Sequence, residues 1–372
     1  MALHVGLGPV FAYEWLTTSR RWQYFAGRSL FVTVLLAVLI VVWWSEAGTI
    51  ATLRLNHLAV VGELFFYAIV GTQLTLVLLV APAVTAGDIC VDKSRGTLLH
   101  LLATDLSNTE IILGKLATRL GIILGLVLCG LPVLFLGALE GGIDPEALTS
   151  AFLITLGVGL LGGSLALTLS VWCRKTFEVL LATYMIWTLL LVFNWAWKVL
   201  ALNPLPMWAE AIDPFWLAFA PYCSPGATDL GDAGVFLVAT MLLSAVLIAL
   251  AAWRVRAVVL GQCDKPWKRL RTPRLLGLAN IIRKLPGPSL DFNAVLWRDW
   301  HRKRTSRWVL AVWLVYGGLA LGFSVLVIIR HSFGRSSGEL GPFVNSFQVA
   351  IGLLLVSVAS VTSLAEERER NS

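Results

Sequence analysis

Charged residues are scarce in this sequence. Of its 372 residues, 14% are Asp, Glu, Lys or Arg, whereas 58% are hydrophobic. Soluble domains carry about 25% charged residues, so this composition excludes a soluble globular protein. The apolar runs are long enough to cross a hydrocarbon layer of about 30 Å, and such segments must be helical because lipid satisfies no exposed backbone polar group. We predict an all-α, polytopic integral membrane helical bundle with about eight transmembrane helices, near residues 29–44, 58–86, 119–139, 148–172, 177–200, 233–253, 308–329 and 344–364.

Catalytic and metal-binding motifs are also missing. No Gly-x-x-x-x-Gly-Lys-Ser/Thr phosphate loop occurs, which excludes ATP hydrolysis by this chain through the usual phosphate-loop chemistry. None of the five histidines belongs to an HExxH pattern, and the five cysteines include no CxxC pair. We therefore predict no catalytic residue, no metal site, no disulfide framework and no cofactor bound by this chain.

Positive charge is distributed unevenly along the chain. The first apolar run follows a cluster of arginines and lacks a signal-peptide cleavage pattern, so we expect it to remain as a span with a cytoplasmic N-terminus. Threading eight spans from that side leaves outside only four of the 29 Lys and Arg residues: Arg54, Lys198, Arg330 and Arg335. This bias follows the positive-inside rule. Cytoplasmic loops facing anionic membrane lipid therefore explain the net charge of +7, and we predict no nucleic-acid partner.

A long polar segment, residues 88–119, separates the second and third apolar runs. A loop between membrane helices needs only a few residues, and this one has a helical pattern, so we predict that it docks a partner at the membrane face. A solvated helix without a partner is the alternative. The pattern has an apolar side and a polar side with a break at Gly96: Ile89, Leu98, Leu99 and Leu102 against Asp88, Asp92, Lys93, Arg95 and His100.

A capping box follows in the same segment. Ser107 and Glu110 have the spacing at which each side chain accepts a hydrogen bond from the other residue's backbone amide. A second helix is therefore predicted to begin near Asn108. It carries Lys115 and Arg119 into the third span.

Two further segments are predicted to lie at a membrane surface. In the N-terminal arm, Phe11, Trp15, Trp22 and Phe25 fall on one side of a helix, as an interfacial helix requires. Between the fifth and sixth spans, residues 201–232 are apolar and rich in proline. We expect a short re-entrant or interfacial element there, with an ordered loop as the alternative.

Glu63 is the charged residue that we single out within the spans. Because buried charge in a bilayer is costly and tends to be functional, Glu63 is a candidate for a translocation path. The alternative is a solvated carboxylate near the outer interface. We expect the glycines at 157, 159, 162 and 163 to serve helix packing.

The chain restarts after a basic, proline-rich stretch. Residues 10–22 resemble residues 295–308, and residues 91–97 match residues 366–372 in their charged character. Internal repeats are frequent in membrane transporters. We predict a six-span membrane unit at 1–260, a cytoplasmic linker at 261–292, and a partial second repeat with two spans at 293–372, which we expect to be truncated.

The segment after the second span resembles a known family. Residues 92–107 and 110–116 contain an acidic-basic run, Gly-Thr, a Leu-rich stretch, a Thr-x-Leu-Ser turn and a Gly-Lys helix start. This order is similar to that in the permease subunits of ATP-binding cassette transporters of the type-2 exporter class, in which this segment is the coupling helix that seats in the ATPase. The six-span layout of residues 29–253 agrees with the resemblance.

The resemblance implies a function for the chain. It would be the transmembrane subunit of an ATP-driven exporter in a bacterial inner (plasma) membrane, and a separate ATPase subunit would use ATP and Mg²⁺. A homodimer or a second permease half would complete the transporter. The resemblance assigns ATPase coupling to eight residues, Asp92, Lys93, Arg95, Gly96, Thr97, Leu98, Leu99 and Leu102, and a second such motif to Glu366, Glu367, Arg368 and Arg370.

Two other classes of protein fit the same spans. One is a membrane-embedded enzyme acting on lipid-linked substrates, which would need convergent acidic or histidine side chains near one membrane face. The other is a membrane scaffold that transports nothing. Association with an ATPase through Arg95 to Leu102 would distinguish the exporter from both.

Overall fold

Helix is the only regular secondary structure in the part of the chain that the structure describes. In this computed structural model, that part comprises residues 8–46, 55–139, 143–173, 175–200, 210–263, 307–332, 344–346, 348–358 and 360. Two compact units are distinguished, Met1–Val259 and Leu260–Ser372.

Ten helices are described before residue 264. They are α1 (Gly8–Ser19), α2 (Trp22–Glu46), α3 (Leu55–Thr85), α4 (Gly87–Arg95), α5 (Thr97–Leu102), α6 (Asn108–Leu139), α7 (Pro145–Trp172), α8 (Thr176–Leu200), α9 (Pro214–Cys223) and α10 (Leu230–Cys263). Six of them, α2, α3, α6, α7, α8 and α10, contain stretches long and apolar enough to cross a membrane. The prediction of a helical integral membrane protein is thus confirmed.

The predicted number of eight spans is not confirmed. In the described residues, the seventh and eighth predicted spans correspond to the apolar stretches Val312–Val325 and Val344–Val358, which are shorter than those of the six long helices. In the second unit, α11 (Arg307–Ser332) packs beside the helix of residues 344–358. Gln348 connects the two, because its Nε2 donates to the Ala320 carbonyl and to Ser324 Oγ, each at 3.0 Å.

Aspartates define the starts of two helices that follow loops. Asp144 precedes Pro145 and accepts a hydrogen bond from the Glu146 amide at 3.1 Å. Asp213 precedes Pro214 and accepts from the Phe215 amide at 3.0 Å. In both cases an aspartate N-cap satisfies an otherwise unpaired amide, and proline at the first helical position lacks the amide that would need a partner.

Helix α7 is the most buried of the six long helices. It contacts α3, α6, α8 and α9, and its Ile154 and Val158 are fully buried in the main apolar core. Glycine permits this close packing. A Cβ atom at Gly159 would lie 2.9 Å from Ile123 Cγ2 and 3.2 Å from Val77 Cγ1, so α3 and α6 both pack closely on α7 there.

Hydroxyl groups join α7 to α10. Ser164 Oγ donates to Ser244 Oγ at 3.0 Å, and Thr168 Oγ1 donates to the Leu247 carbonyl at 3.2 Å. The other side of α10 is an exposed apolar stripe, which we call the α10 stripe: Val235, Val238, Leu242, Val246 and Leu250. Such a surface is compatible with lipid but not with water.

The bundle has two different ends. At one end α9 packs on α3 and α7, and the Asp144 amide at the start of α7 donates to the Tyr222 hydroxyl at 2.9 Å. At the other end α4 packs on α7 near its last residues. We call these the α9 end and the α4 end. Glu63 lies toward the α9 end of α3, where it accepts a hydrogen bond from the Tyr67 hydroxyl at 3.0 Å. A role in translocation stays a prediction for Glu63.

The N-terminal arm differs from the prediction. It is not one helix, because α1 ends at Ser19 and α2 begins at Trp22. Trp22 and Phe25 are exposed on α2, and they do not share a helical face with Phe11 and Trp15 of α1. Arg20 and Arg21 lie between α1 and α2, where the helix is interrupted.

Several predictions lie outside the described residues. These are the second coupling motif (Glu366, Glu367, Arg368 and Arg370) and all but the first three residues of the linker 261–292. In the segment 201–232, the structure describes residues 210–232, which include α9.

Gly159→Ala tests the close approach of α3, α6 and α7. The added methyl group must displace Ile123 or Val77, so we expect a loss of about 1–3 kcal/mol in the free energy of unfolding. Gly234→Ala in α10 is the control, because a Cβ atom there meets nothing within 4 Å. Its stability should stay unchanged or rise. Thermal unfolding in detergent, followed by tryptophan fluorescence, measures both; equal stability of the two variants would contradict the packing described.

Candidate functional site

Helices α4 and α5 are joined at Gly96. This glycine adopts φ of 75°, a left-handed conformation that side-chain-bearing residues rarely take, and its amide donates to the Lys93 carbonyl at 3.3 Å. Thr97 Oγ1, at the start of α5, donates to Asp92 Oδ1 at 3.0 Å. The helix pair therefore has a defined bend rather than a flexible joint.

The capping box at Ser107 and Glu110 begins the next helix. The Ser107 amide donates to Glu110 Oε2 at 2.9 Å, and the Glu110 amide donates to Ser107 Oγ at 3.2 Å. With both groups satisfied, α6 begins immediately at Asn108. The turn between α5 and α6 is consequently short, and it holds α5 against the start of the third span.

The apolar side of the α4–α5 pair is buried against three spans. Ile89, Leu98 and Leu102 pack into a cluster with side chains of α6 (Ile111, Ile112, Leu116), α7 (Leu167, Val171) and α10 (Ala251, Ala252, Val255). Leu98 is 1% exposed, whereas Leu99 is 38% exposed. The sequence pattern placed both on the apolar side, but only Leu98 belongs to the core.

Hydrogen bonds also connect this region to α10. Arg256 Nη2 donates to the Leu102 carbonyl at 3.1 Å, and Asn108 Nδ2 donates to the Ala252 carbonyl at 3.2 Å. Both acceptors are helix carbonyls, and the Leu102 carbonyl lies at the C-terminus of α5, where the helix provides no partner. The two ends of the α5–α6 turn are thus attached to the same span.

Lys93 reaches from α4 to the C-terminus of α7. Its Nζ donates to the carbonyls of Ser170 at 2.9 Å, Cys173 at 3.1 Å and Val171. The last carbonyls of a helix have no partners within the helix, and the negative end of the helix dipole favours a cation. Lys93 is therefore a link between α4 and the most buried span. Burial raises the pKa of the neighbouring Cys173 thiol to about 11, so this cysteine stays protonated.

Five charged side chains form an ion-pair network, which we call the α4 network: Glu14, Asp88, Asp92, Lys115 and Arg119. Arg119 binds Asp88 through two contacts, Nη2 to Oδ1 at 2.5 Å and Nε to Oδ2 at 2.8 Å. Lys115 lies between Asp92, at 2.7 Å, and Glu14. The side chains of Asp88 and Lys115 are only 4% and 5% exposed. The network joins α1 and α4 to α6.

Two contacts extend this attachment to the N-terminal helices. Arg119 Nη1 also binds the Tyr24 hydroxyl of α2 at 2.9 Å. Trp15 of α1 lies directly on Gly121, where even a Cβ atom would fall 2.5 Å from the indole ring. The N-terminal arm is therefore part of the same assembly as α4.

The sequence did not reveal which charges pair. It placed Asp88, Asp92 and Lys93 on a polar side, whereas the structure places them against α6 and α7. It missed Glu14 altogether. Lys115 and Arg119, two cations at the beginning of a span, indicate that acidic partners are needed there. Which acids pair with them depends on the tertiary structure.

The exposed side of the α4–α5 pair has four polar residues and one leucine, and we call it the α4–α5 face: Ser94, Arg95, Thr97, Leu99 and His100. All five are exposed at the α4 end of the bundle. Of the predicted coupling residues, Arg95, Thr97 and Leu99 belong to this face, while Asp92, Lys93, Leu98 and Leu102 hold the helices in place from beneath.

Comparisons with known proteins and a search for metal-binding groups add no assignment. No protein-family model matches the sequence, and no curated protein matches it significantly. Within the described ranges, no group of three or more His, Cys, Asp and Glu side chains could hold a metal ion.

A double-mutant cycle on Asp88 and Arg119 tests the α4 network. Arg119→Gln leaves a buried carboxylate unpaired, so we expect it to cost about 3 kcal/mol of unfolding free energy. Asp88→Asn combined with Arg119→Gln should cost less than the sum of the single changes, by about 1–3 kcal/mol. Chemical denaturation in detergent supplies all four values.

Asp105→Asn is the matched control for this cycle. It makes the same change on an exposed carboxylate of the α5–α6 turn, and its cost should stay within about 0.5 kcal/mol. Strict additivity of Asp88→Asn and Arg119→Gln would show that the two charges do not interact.

Proposed function

We propose that this chain is the transmembrane subunit of an ATP-driven exporter, coupling ATP hydrolysis in a separate ATPase subunit to substrate translocation. One observation supports this most: the α4–α5 pair is fixed to three spans on its buried side and presents an exposed polar face on the other.

The contacts give a route by which a movement of α4 would reach the spans. Asp88 and Asp92 hold α4 to α6 through Arg119 and Lys115. Lys93 holds it to α7, and the Leu102 carbonyl holds α5 to Arg256 of α10. Because packed helices behave as rigid elements with discrete arrangements, a force applied to the α4–α5 face would displace α6, α7 and α10 together.

In this proposal the α4 end is cytoplasmic and receives the ATPase. ATP and Mg²⁺ belong to that partner, whose phosphate-binding loop this chain lacks. The α4–α5 face offers Arg95 for an acidic group of the partner and Leu99 for an apolar pocket. Such a mixture of an apolar anchor and a polar rim is typical of protein interfaces. The location would be a bacterial inner membrane, and a second permease half or a second copy of the chain would complete the transporter.

Charge reversal at Arg95 and a polar change at Leu99 test the docking face. Both side chains are exposed, so Arg95→Glu and Leu99→Asp should leave the fold intact. Leu98→Asp would be uninformative, because Leu98 is buried and its replacement would disrupt the core. The control is Arg21→Glu, an identical charge reversal on an exposed residue between α1 and α2.

The measurement is co-purification of the full-length chain with ATP-binding cassette subunits from the cells that produce it, together with the ATPase rate of the purified complex. We expect recovery of the ATPase to fall about tenfold in Arg95→Glu and in Leu99→Asp, as for residues central to an interface, and to be unchanged in Arg21→Glu. If the folded wild-type chain never carries an ATPase, the exporter proposal fails, and the membrane enzyme or the scaffold takes its place.

A further inference from the structure

The charged residues of helix α10 indicate how deep it lies in the membrane. No charged residue occurs from Ala233 to Trp253, and the charges of Asp232 and Arg254 follow immediately on either side. At a rise of 1.5 Å per residue this stretch is about 30 Å long, which equals the thickness of the hydrocarbon layer. Trp253, Arg254 and Arg256 therefore lie at the depth of the lipid headgroups.

A groove of about 490 Å³ opens at this depth, between α10 and the turn that joins α5 to α6. We call its apolar lining residues Leu106, Ala249 and Ala252 the floor, and its remaining lining residues, which include Asn108, Thr109, Trp253 and Arg256, the rim. No carboxylate is among the lining residues. Of the nearest acids, Glu110 is engaged in the capping box, and Asp105 is exposed in the turn. The groove thus combines an apolar base with a cationic rim.

Arg256 is fixed in a position to bind an anion. One of its N–H groups is held by the Leu102 carbonyl at 3.1 Å, which restrains the side chain while the guanidinium lines the groove. Guanidinium presents five donors in a planar fork and matches the oxygens of a phosphate. Thr109 Oγ1 on the same rim lies 3.1 Å from Ser107 Oγ, and when Ser107 donates in that hydrogen bond the Thr109 hydroxyl proton is available for an anion.

Trp253 closes one side of the groove. It is 72% exposed, and the guanidinium of Arg254 lies over its ring, 4.7 Å from the centroid. This cation–π contact holds the indole at the interface, where tryptophan is favoured because one end is apolar and the other is wet. Below Trp253 the α10 stripe continues through Leu250, Val246 and Leu242 into the hydrocarbon.

We propose that this groove is a binding site for a membrane phospholipid. Arg256 and Thr109 would bind the phosphate of the headgroup, Trp253 would lie beside the glycerol backbone, and an acyl chain would follow the α10 stripe. The occupant is a lipid because the cationic rim lies at headgroup depth and the apolar surface leads from it into the membrane. Lipid binding at this site does not require an ATPase, so its test is independent of the test of the exporter function.

Ala249→Phe tests the site without removing any contact. Ala249 is exposed on the floor of the groove, and a phenyl ring there would occupy the space of the lipid. Ala245→Phe is the matched control, one turn earlier on α10, exposed and outside the groove.

Arg256→Gln removes the cation while keeping a donor for the Leu102 carbonyl, and Arg21→Gln is its control at an exposed arginine. The full-length protein in detergent is titrated with dioleoyl phosphatidylglycerol, and bound lipid is counted by native mass spectrometry. In parallel, inorganic phosphate and glycerol 3-phosphate serve as probes that lack acyl chains.

We expect the wild type to retain one tightly bound phospholipid. Binding should be about tenfold weaker in Arg256→Gln, because a charge-assisted contact is lost, and about tenfold weaker in Ala249→Phe, because the phenyl ring occupies the groove. Binding should be unchanged in Ala245→Phe and in Arg21→Gln. Equal binding in all five proteins would overturn the proposal. So would equal binding of glycerol 3-phosphate or inorganic phosphate, which would indicate a simple anion site. A protein that is dimeric as wild type and monomeric as Ala249→Phe would show that a second copy, rather than lipid, covers the groove.

Discussion

The pairing of buried charges at the α4 end is the constraint on which the rest of the structure depends. Asp88 and Lys115 are almost completely inaccessible to solvent, and an ionised group taken out of water without a partner costs several kcal/mol. Arg119 must therefore stay on Asp88, and Lys115 must stay between Asp92 and Glu14. This requirement fixes α1 and α4 on α6, and the positions of Leu98 and Lys93 follow from it.

The α4 network contributes more to the position of α4 against the spans than to the free energy of unfolding. Apolar side chains of similar volume often stabilise a fold as well as buried ion pairs do, because they avoid the cost of desolvation. Ion pairs and hydrogen bonds are directional, whereas apolar contacts depend little on direction. Since α4 has only nine residues and α5 only six, apolar contacts alone would hold them loosely. The charges of α4 and the contacts of Lys93 with α7 give these short helices a single register against the spans.

Local signals in the sequence predicted local structure well. The apolar runs locate the six long helices to within a few residues, except where α2, α6 and α10 extend further than the apolar pattern. Gly96 and the Ser107–Glu110 pair mark the limits of α5 and α6. The same local patterns could not predict which side chains meet in the folded bundle. Periodicity could not separate Leu98 from Leu99, because their burial is decided by α7 and α10. Nor could it pair Glu14 with Lys115, which lie about a hundred residues apart and meet only in the folded bundle.

Arg256 connects the two surfaces of the α4 end. The same guanidinium that lines the groove holds the C-terminal carbonyl of α5, so the groove and the α4–α5 face share one side chain. A phosphate bound to the remaining donors of Arg256 would shift the guanidinium and with it the hydrogen bond to the Leu102 carbonyl. Any effect of lipid on the position of α5 implies an equal effect of α5 on the affinity for lipid, because the coupling free energy between two sites is reciprocal. Under the two proposals, lipid in the groove and a partner on the α4–α5 face would be linked through the single hydrogen bond between Arg256 and α5, a helix of six residues.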